Sequence, residues 1–158
     1  MIKTFWEYTW DDYMIDMKAS DWIKCDHVIA IYRGSLPMAT HISNVRKVPM
    51  SIIGFQTRDG KDKQPYWIHN ELKEDTRFYT EPYVEGQTIL IVDDIYDTGY
   101  TMDNVIKFVK SQRTKPSPMP TVVGFCLFGK QNAKDIYYAN EHDGSWVSFP
   151  WERLDESV

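Results

Sequence analysis

The stretch TILIVDDIYDTGYT, residues 88–101, holds the side chains best suited to chemistry. Asp93, Asp94 and Asp97 fall within five positions of one another, directly after the apolar run TILIV. Buried carboxylates side by side raise each other's pKa unless a cation or a hydrogen-bond donor offsets them. An Asp-Asp pair facing water would do no more than cap the next helix. Here the following residues supply a reason for more. Asp97-Thr98-Gly99-Tyr100-Thr101 lies between a strand end and a helix start, where free backbone N–H groups and the helix dipole form an anion site. Gly99 lets the backbone approach an anion closely, and Thr98 and Thr101 add hydroxyl donors. A phosphate seat beside an acidic pair suits a phosphorylated sugar. The carboxylates would accept from its hydroxyls and help to hold Mg²⁺, a hard cation that takes oxygen ligands. Neither G-x-x-x-x-G-K-[ST] nor G-x-G-x-x-G occurs, which excludes the common nucleotide-binding loops.

The elements that must position these residues read as an α/β alternation. Trp10, Tyr13, Met14 and Met17 recur at helical spacing behind a candidate N-cap at Thr9, with Asp11 and Asp12 in the first turn. HVIAIYR (27–33) is a buried strand ending in Arg-Gly, and Met38, Ile42 and Val45 form the stripe of a second helix. PMSIIGF (49–55) is another strand. Residues 56–75 are polar and turn-rich without a period, a loop long enough to be functional. TILIV (88–92) is the near-continuous apolar run of a strand covered on both faces. Met102, Val105, Ile106 and Val109 supply the next helix, which KPSPMP (115–120) stops. TVVGFCLF (121–128) and DIYY (135–138) are further strands. This order predicts an α/β fold with a mostly parallel central sheet, whose ligands sit at the carboxyl ends of its strands. Arg33 and the carboxylate cluster both fall there, and an Arg before Gly at a strand end suits oxyanion recognition.

Composition narrows the field. At 158 residues the chain has room for one domain with a proper core. A net charge of −5 with no basic stripe argues against nucleic acid as a partner. No run of about 18 apolar residues is present, so no membrane span is expected. MIKTFWEYTWDDYM has early acids and no apolar core of a signal peptide, so the expected setting is the cytoplasm. Cys25 and Cys126 read as unpaired core thiols, and His27, His41, His69 and His142 lack metal-ligand spacing. Aromatic residues reach 15%, a surplus that suits a ligand pocket or a subunit contact.

Strand, Asp-Asp, two residues, Asp-Thr-Gly-x-Thr resembles the signature with which type I phosphoribosyltransferases bind 5-phosphoribosyl-1-diphosphate. AIYRGSLPMA (30–39) resembles the pyrophosphate loop of that family, although Ser35 follows Gly34 where Gly-Gly is usual and Tyr100 stands where a second Gly is common. LFGK (127–130) matches the position of a purine-contacting lysine. SWVSFPWE (145–152) and YTWDDY (8–13) resemble the closing and opening segments of the bacterial xanthine–guanine (6-oxopurine) members. The 56–75 loop lacks the Ser-Tyr pair of purine relatives.

The resemblance implies a core over about 25–128 and a small hood from about 1–24 and 129–158. It implies transfer of phosphoribosyl to guanine, xanthine or hypoxanthine in purine salvage, with pyrophosphate released. Asp93 and Asp94 would hold ribose hydroxyls and, with Glu152, Mg²⁺. Asp97 would face the base as the proton acceptor. Asp97, Thr98, Gly99, Tyr100 and Thr101 would seat the 5-phosphate, and Arg33, Gly34 and Ser35 the pyrophosphate. Lys130, Trp146, Val147 and Glu152 would hold the purine, while Trp151 belongs either to the core or to the pocket. A cis Tyr32–Arg33 peptide and a homo-oligomer, dimer or tetramer, are also implied. The alternative is a non-catalytic regulator of the same fold that binds phosphoribosyl diphosphate or a nucleotide.

Overall fold

The computed structural model describes residues 5–55, 64–70, 87–112, 120–130 and 133–153. In chain order these form β1 (Phe5–Glu7), α1 (Trp10–Asp16), β2 (His27–Tyr32), α2 (Leu36–Arg46), β3 (Met50–Gly54) and β4 (Tyr66–His69). Then come β5 (Thr88–Tyr96), α3 (Tyr100–Ser111), β6 (Thr121–Gly129), β7 (Ile136–Glu141) and β8 (Trp146–Ser148). One sheet has the order β4-β3-β2-β5-β6-β7, parallel throughout except for β4, which runs antiparallel on β3. The fold is therefore α/β with a mostly parallel central sheet. Strands are added leftward from β2 to β3 and rightward from β5 to β7, so the chain changes direction between β2 and β5. At such a switch point neighbouring connections leave in opposite directions and open a crevice.

Alternation along β5 divides the interior into two cores. Leu90 and Val92 face one, with Val28, Ala30, Met38, Ile42 and Phe125. Ile89 and Ile91 face the other, with Ile29, Met102, Val105 and Cys126. Burying each of these aliphatic side chains is worth about 1.5–3 kcal/mol, so the middle of β5 is held firmly. Cys126 is buried and Cys25 half-buried, and both are free thiols.

Local sequence signals explain the helix starts better than the helix faces. Thr9 caps α1 through a reciprocal box: its hydroxyl accepts from Asp12 N at 3.1 Å, and Asp12 Oδ2 accepts from Thr9 N at 2.9 Å. Of the expected α1 stripe only Tyr13 and Met17 are buried; Trp10 and Met14 are half exposed, because the helix lasts seven residues before tightening into a 3₁₀ turn. In α2, Met38, Ala39 and Ile42 are buried but Val45 is exposed. At that end Arg46 turns inward instead, donating to Ser20 O at 2.8 Å and to Ile23 O.

Tyr66–His69 corrects the reading of 56–75 as a loop. It is an edge strand held by backbone pairing and by the Tyr66 ring lying over Gly54, a mostly exposed strand with no apolar period to betray it. Residues 56–63 and 71–75 lie outside the described residues, as do 115–119 of the expected helix stop. β5, β6 and β7 all run longer than the apolar runs that announced them.

The two ends of the chain meet in a separate parallel pair, β1 with β8, in which Trp6 lies opposite Val147. Arg153 ties this pair together, donating to Glu7 Oε1 at 2.7 Å, to Ser148 O at 2.9 Å and to Tyr8 O. Beneath it an edge-to-face chain runs from Trp6 and Tyr8 to Phe128 and Phe149. A planar fork serves three acceptors that an ammonium cannot reach together. Arg153→Ala is expected to cost about 1 kcal/mol and lower the melting temperature by about 2–4 °C, with Arg153→Lys recovering little of it. Thermal melts of both variants check this.

Candidate active site

The crevice between β2 and β5 is built by a local failure of sheet pairing. β2 follows β5 only as far as Ala30 opposite Val92, while β6 accompanies β5 to Tyr96 opposite Gly129. Asp93 and Asp94 occupy the residues where the β2 ladder stops. They lie inside the strand rather than beyond it, where the apolar run alone had placed them. Their carboxylates bond the strand's own backbone: Asp93 Oδ1 accepts from Asp94 N at 2.9 Å, and Asp94 Oδ1 accepts from Ile95 N at 2.7 Å. Asp93 pairs in register with buried Cys126. The Asp94 carboxylate lies against the β2–α2 turn. A Cβ at Gly34 would overlap the Asp94 carboxylate, so only glycine lets the β2–α2 turn approach so closely.

Desolvation by the surrounding protein pushes the Asp93 carboxyl well up, and the neighbouring Asp94 charge adds to that. Burial likewise raises Asp94; the Ile95 N–H opposes this, while Glu152 is near enough to push it further up. The crevice thus concentrates negative charge that the free protein accommodates poorly. Such a pair suits ligands that donate hydrogen bonds or carry positive charge.

Two helix N-termini flank it. α3 starts at Gly99, whose φ of 85° is left-handed and whose missing Cβ would stand 2.6 Å from the Tyr96 hydroxyl. Tyr96 is the buried floor of this turn, which no sequence pattern had marked. Thr98 Oγ1 accepts from Tyr100 N at 3.3 Å, closing the loop on itself. α2 starts after Arg33-Gly34-Ser35, and the Tyr32–Arg33 peptide that leads into it is cis. Ser35 is buried and its hydroxyl donates to Ile31 O at 2.6 Å, which leaves the backbone of this turn, not that hydroxyl, for an anion. Neither Ser35 nor Gly99 makes a side-chain cap, although Leu36 N donates to Arg33 O at 3.2 Å, Pro37 carries no N–H and Tyr100 N is held by Thr98, so each helix start offers an anion only part of its first-turn N–H groups. Arg33 and Thr98 are exposed beside them.

Past β5 and β6, Lys130 Nζ pairs with Asp97 Oδ1 at 2.7 Å. A Cβ at Gly144 would lie 3.7 Å from that ammonium, which brings the turn before β8 to the same end of the sheet. Trp146, two residues on, is 63% exposed. Val147 is buried in the core between β1 and β6. Trp151 is half-buried against the core, stacked on Phe149 with ring centroids 4.8 Å apart and packed against Trp10 and Tyr13. Glu152 Oε2 accepts from Phe149 N at 3.4 Å.

Among the described residues no group of three or more His, Cys, Asp or Glu side chains converges as a metal cage. Asp93, Asp94 and Glu152 therefore form no ready-made trio. The hard oxygens of the acidic pair still fit Mg²⁺, which is commonly held by one or two carboxylates with substrate oxygens and water completing its shell. No helix among the described residues is long and apolar enough to cross a membrane.

With this geometry in view, comparison places the chain among known proteins. Residues 11–152 match the family model described as phosphoribosyl transferase domain. The chain is 28% identical over 120 residues to the hypoxanthine/guanine phosphoribosyltransferase of Methanohalophilus mahii, an alignment covering 72% of this chain and 57% of that protein. The chain spans about half the length of the curated relatives it matches. Its fold is similar to that of a purine phosphoribosyltransferase from Pyrococcus horikoshii, with a TM-score of 0.67, 23% identity and 96% of each chain covered. It is similar also to the xanthine-guanine-hypoxanthine phosphoribosyltransferase of Helicobacter pylori, with a TM-score of 0.64, 17% identity, and 94% of this chain and 93% of that one covered.

The raised carboxyl pair makes a prediction with a definite sign. Both groups hold protons more tightly in the folded chain than the ordinary Asp value of about 3.9. Their contribution to stability is complete below that value and is lost as pH rises through the raised folded values. In metal-free, ligand-free buffer, Asp93→Asn is expected to melt above the wild type at pH 8 and to approach it at pH 4. An equal difference at both pH values contradicts the raised pair.

Proposed function

We propose that this chain, which belongs to the phosphoribosyl transferase domain family, transfers the 5-phosphoribosyl group from phosphoribosyl diphosphate to a 6-oxopurine, releasing pyrophosphate in a purine-salvage reaction. The observation that carries the reading is the acidic pair at the switch point of the sheet, beside two helix starts that have no side-chain cap. A substrate with an anion at each end and a pair of hydroxyls between them matches that order of charges. The names of the curated relatives support the purine class.

In this reading the Asp97–Thr101 turn and the first N–H groups of α3 receive the 5-phosphate. Arg33, Gly34 and the backbone of Ser35 receive the pyrophosphate at the start of α2. Asp93 and Asp94 accept from the ribose hydroxyls, which offsets their burial and orients the sugar. Mg²⁺, held by the acidic pair and substrate oxygens, with Glu152 nearby, would neutralise charge on the leaving pyrophosphate. The sugar carbon carries positive character as that bond breaks, so catalysis here is positioning, charge neutralisation and one proton transfer. Trp146 offers the base an exposed π face, the backbone carbonyls of Val147 and Glu152 accept its N–H groups, and Lys130 donates to a 6-oxygen. An adenine amino group would meet that donor with no acceptor and leave it unpaired.

Pyrophosphate release measured with Mg²⁺ across guanine, xanthine, hypoxanthine, adenine, orotate and uracil tests this directly, and turnover is expected with the 6-oxopurines alone. Equal use of adenine or a pyrimidine removes the purine assignment and leaves phosphoribosyl transfer standing. Asp97→Asn is expected to lower kcat by about 10²–10⁴-fold with little change in phosphoribosyl diphosphate affinity. Trp146→Ala is expected to raise KM for the base by roughly 5- to 150-fold, the equivalent of about 1–3 kcal/mol of stacking, and to leave KM for phosphoribosyl diphosphate near the wild-type value.

A further inference from the structure

Helix α3 carries a carboxylate, Asp103, in its first turn, over the turn in which the 5-phosphate is proposed to sit. Asp103 N donates to Gly99 O at 2.9 Å, which leaves the Thr101 and Met102 amides ahead of it without an intrahelical acceptor. Helical side chains lean toward the N-terminus, and Asp103 leans over Gly99, four residues earlier. Its Oδ2 lies 3.2 Å from the place where a Gly99 Cβ would stand. Asp97 belongs to the same turn, but the Lys130 ammonium pairs with it at 2.7 Å. Among the described residues no cation pairs with Asp103.

A carboxylate in the first turn is favourable while the seat is empty, because it answers the positive end of the helix dipole. The same charge opposes any anion that enters. We infer that Asp103 is a built-in competitor anion that sets the affinity of the α3 seat and selects ligands by the number of anchors they bring. Free inorganic phosphate has this seat alone to bind and meets the full repulsion. A phosphorylated sugar held also by the acidic pair and by the start of α2 offsets that repulsion with contacts elsewhere. The identity of that sugar rests on the phosphoribosyl-transfer reading; the repulsion follows from the position of Asp103.

Inorganic phosphate is the probe. Its binding to the wild type, to Asp103→Asn and to the charge-keeping Asp103→Glu is followed by amide NMR at fixed ionic strength. Phosphate is expected to shift the Thr98–Thr101 amides in all three proteins. From the size of an exposed first-turn charge effect, Asp103→Asn is expected to half-saturate at about two- to fivefold less phosphate, with Asp103→Glu near the wild type. The gain acts through the field, so it is expected to shrink as salt rises from about 0.1 M to about 1 M. Without phosphate, Asp103→Asn is expected to melt about 1–3 °C below the wild type, a loss that phosphate reverses. Equal or weaker phosphate binding by Asp103→Asn overturns the inference, and so does a gain that persists undiminished at high salt. No response of these amides in any of the three proteins overturns the seat and the inference together. Purine phosphoribosyl transfer by the wild type is assayed alongside. Turnover together with unchanged phosphate binding in Asp103→Asn leaves the reaction standing and removes this inference alone.

Discussion

Two carboxylates inside the carboxyl-terminal half of the central strand are the constraint on which the rest of the site depends. Burying ionised groups is costly unless they are paired or hydrogen-bonded. Asp93 and Asp94 are only partly compensated, by two backbone N–H groups of their own strand. The four preceding residues, Ile89 to Val92, are buried on both faces and anchor the strand against that cost. Crevice and charge thus have one origin. The point where β2 and β5 part is also where the carboxylates are exposed to a ligand able to satisfy them.

The surrounding elements answer to the same point. Gly34 must lack a side chain because Asp94 occupies its space, and Gly99 must be left-handed because the turn closes over Tyr96. These two turns launch α2 and α3 beside the acidic pair. The terminal strands close the far side. Arg153 binds β1 to β8, Tyr8 donates to Asp16 Oδ2 at 2.8 Å, and Asn140 donates to the same oxygen at 2.6 Å, which connects the start of the chain to β7. Trp146 keeps its exposure because Trp151 and Phe149, rather than Trp146, supply the aromatic packing beneath that corner.

Much of this was legible in the residues themselves, and the failures have physical causes. Buried parallel strands announce themselves through β-branched runs, so β2, β3, β5 and β6 were readable. The strand carrying Asp93 to Tyr96 was not, because its polar residues are held by their own carboxylates and by β6 rather than by an apolar period. β4 escaped notice as a mostly exposed edge. Val45 and Met14 fit a helical spacing, but spacing does not report where a helix ends its contact with the core. Among site residues, Asp97 and Lys130 were separately legible, whereas their 2.7 Å pairing depends on the Tyr96–Gly129 register, which no local pattern encodes. The Ser35 hydroxyl was legible as a donor, yet only the fold shows it turned to Ile31 O.

The most direct test of the central claim is calorimetric titration of phosphoribosyl diphosphate with Mg²⁺ into the wild type and into the Asp93→Asn, Asp94→Asn double variant. Charge-assisted hydrogen bonds are worth about 1.5–3 kcal/mol each, so the folded double variant is expected to bind at least about tenfold more weakly. Unchanged affinity in a folded double variant would contradict the account.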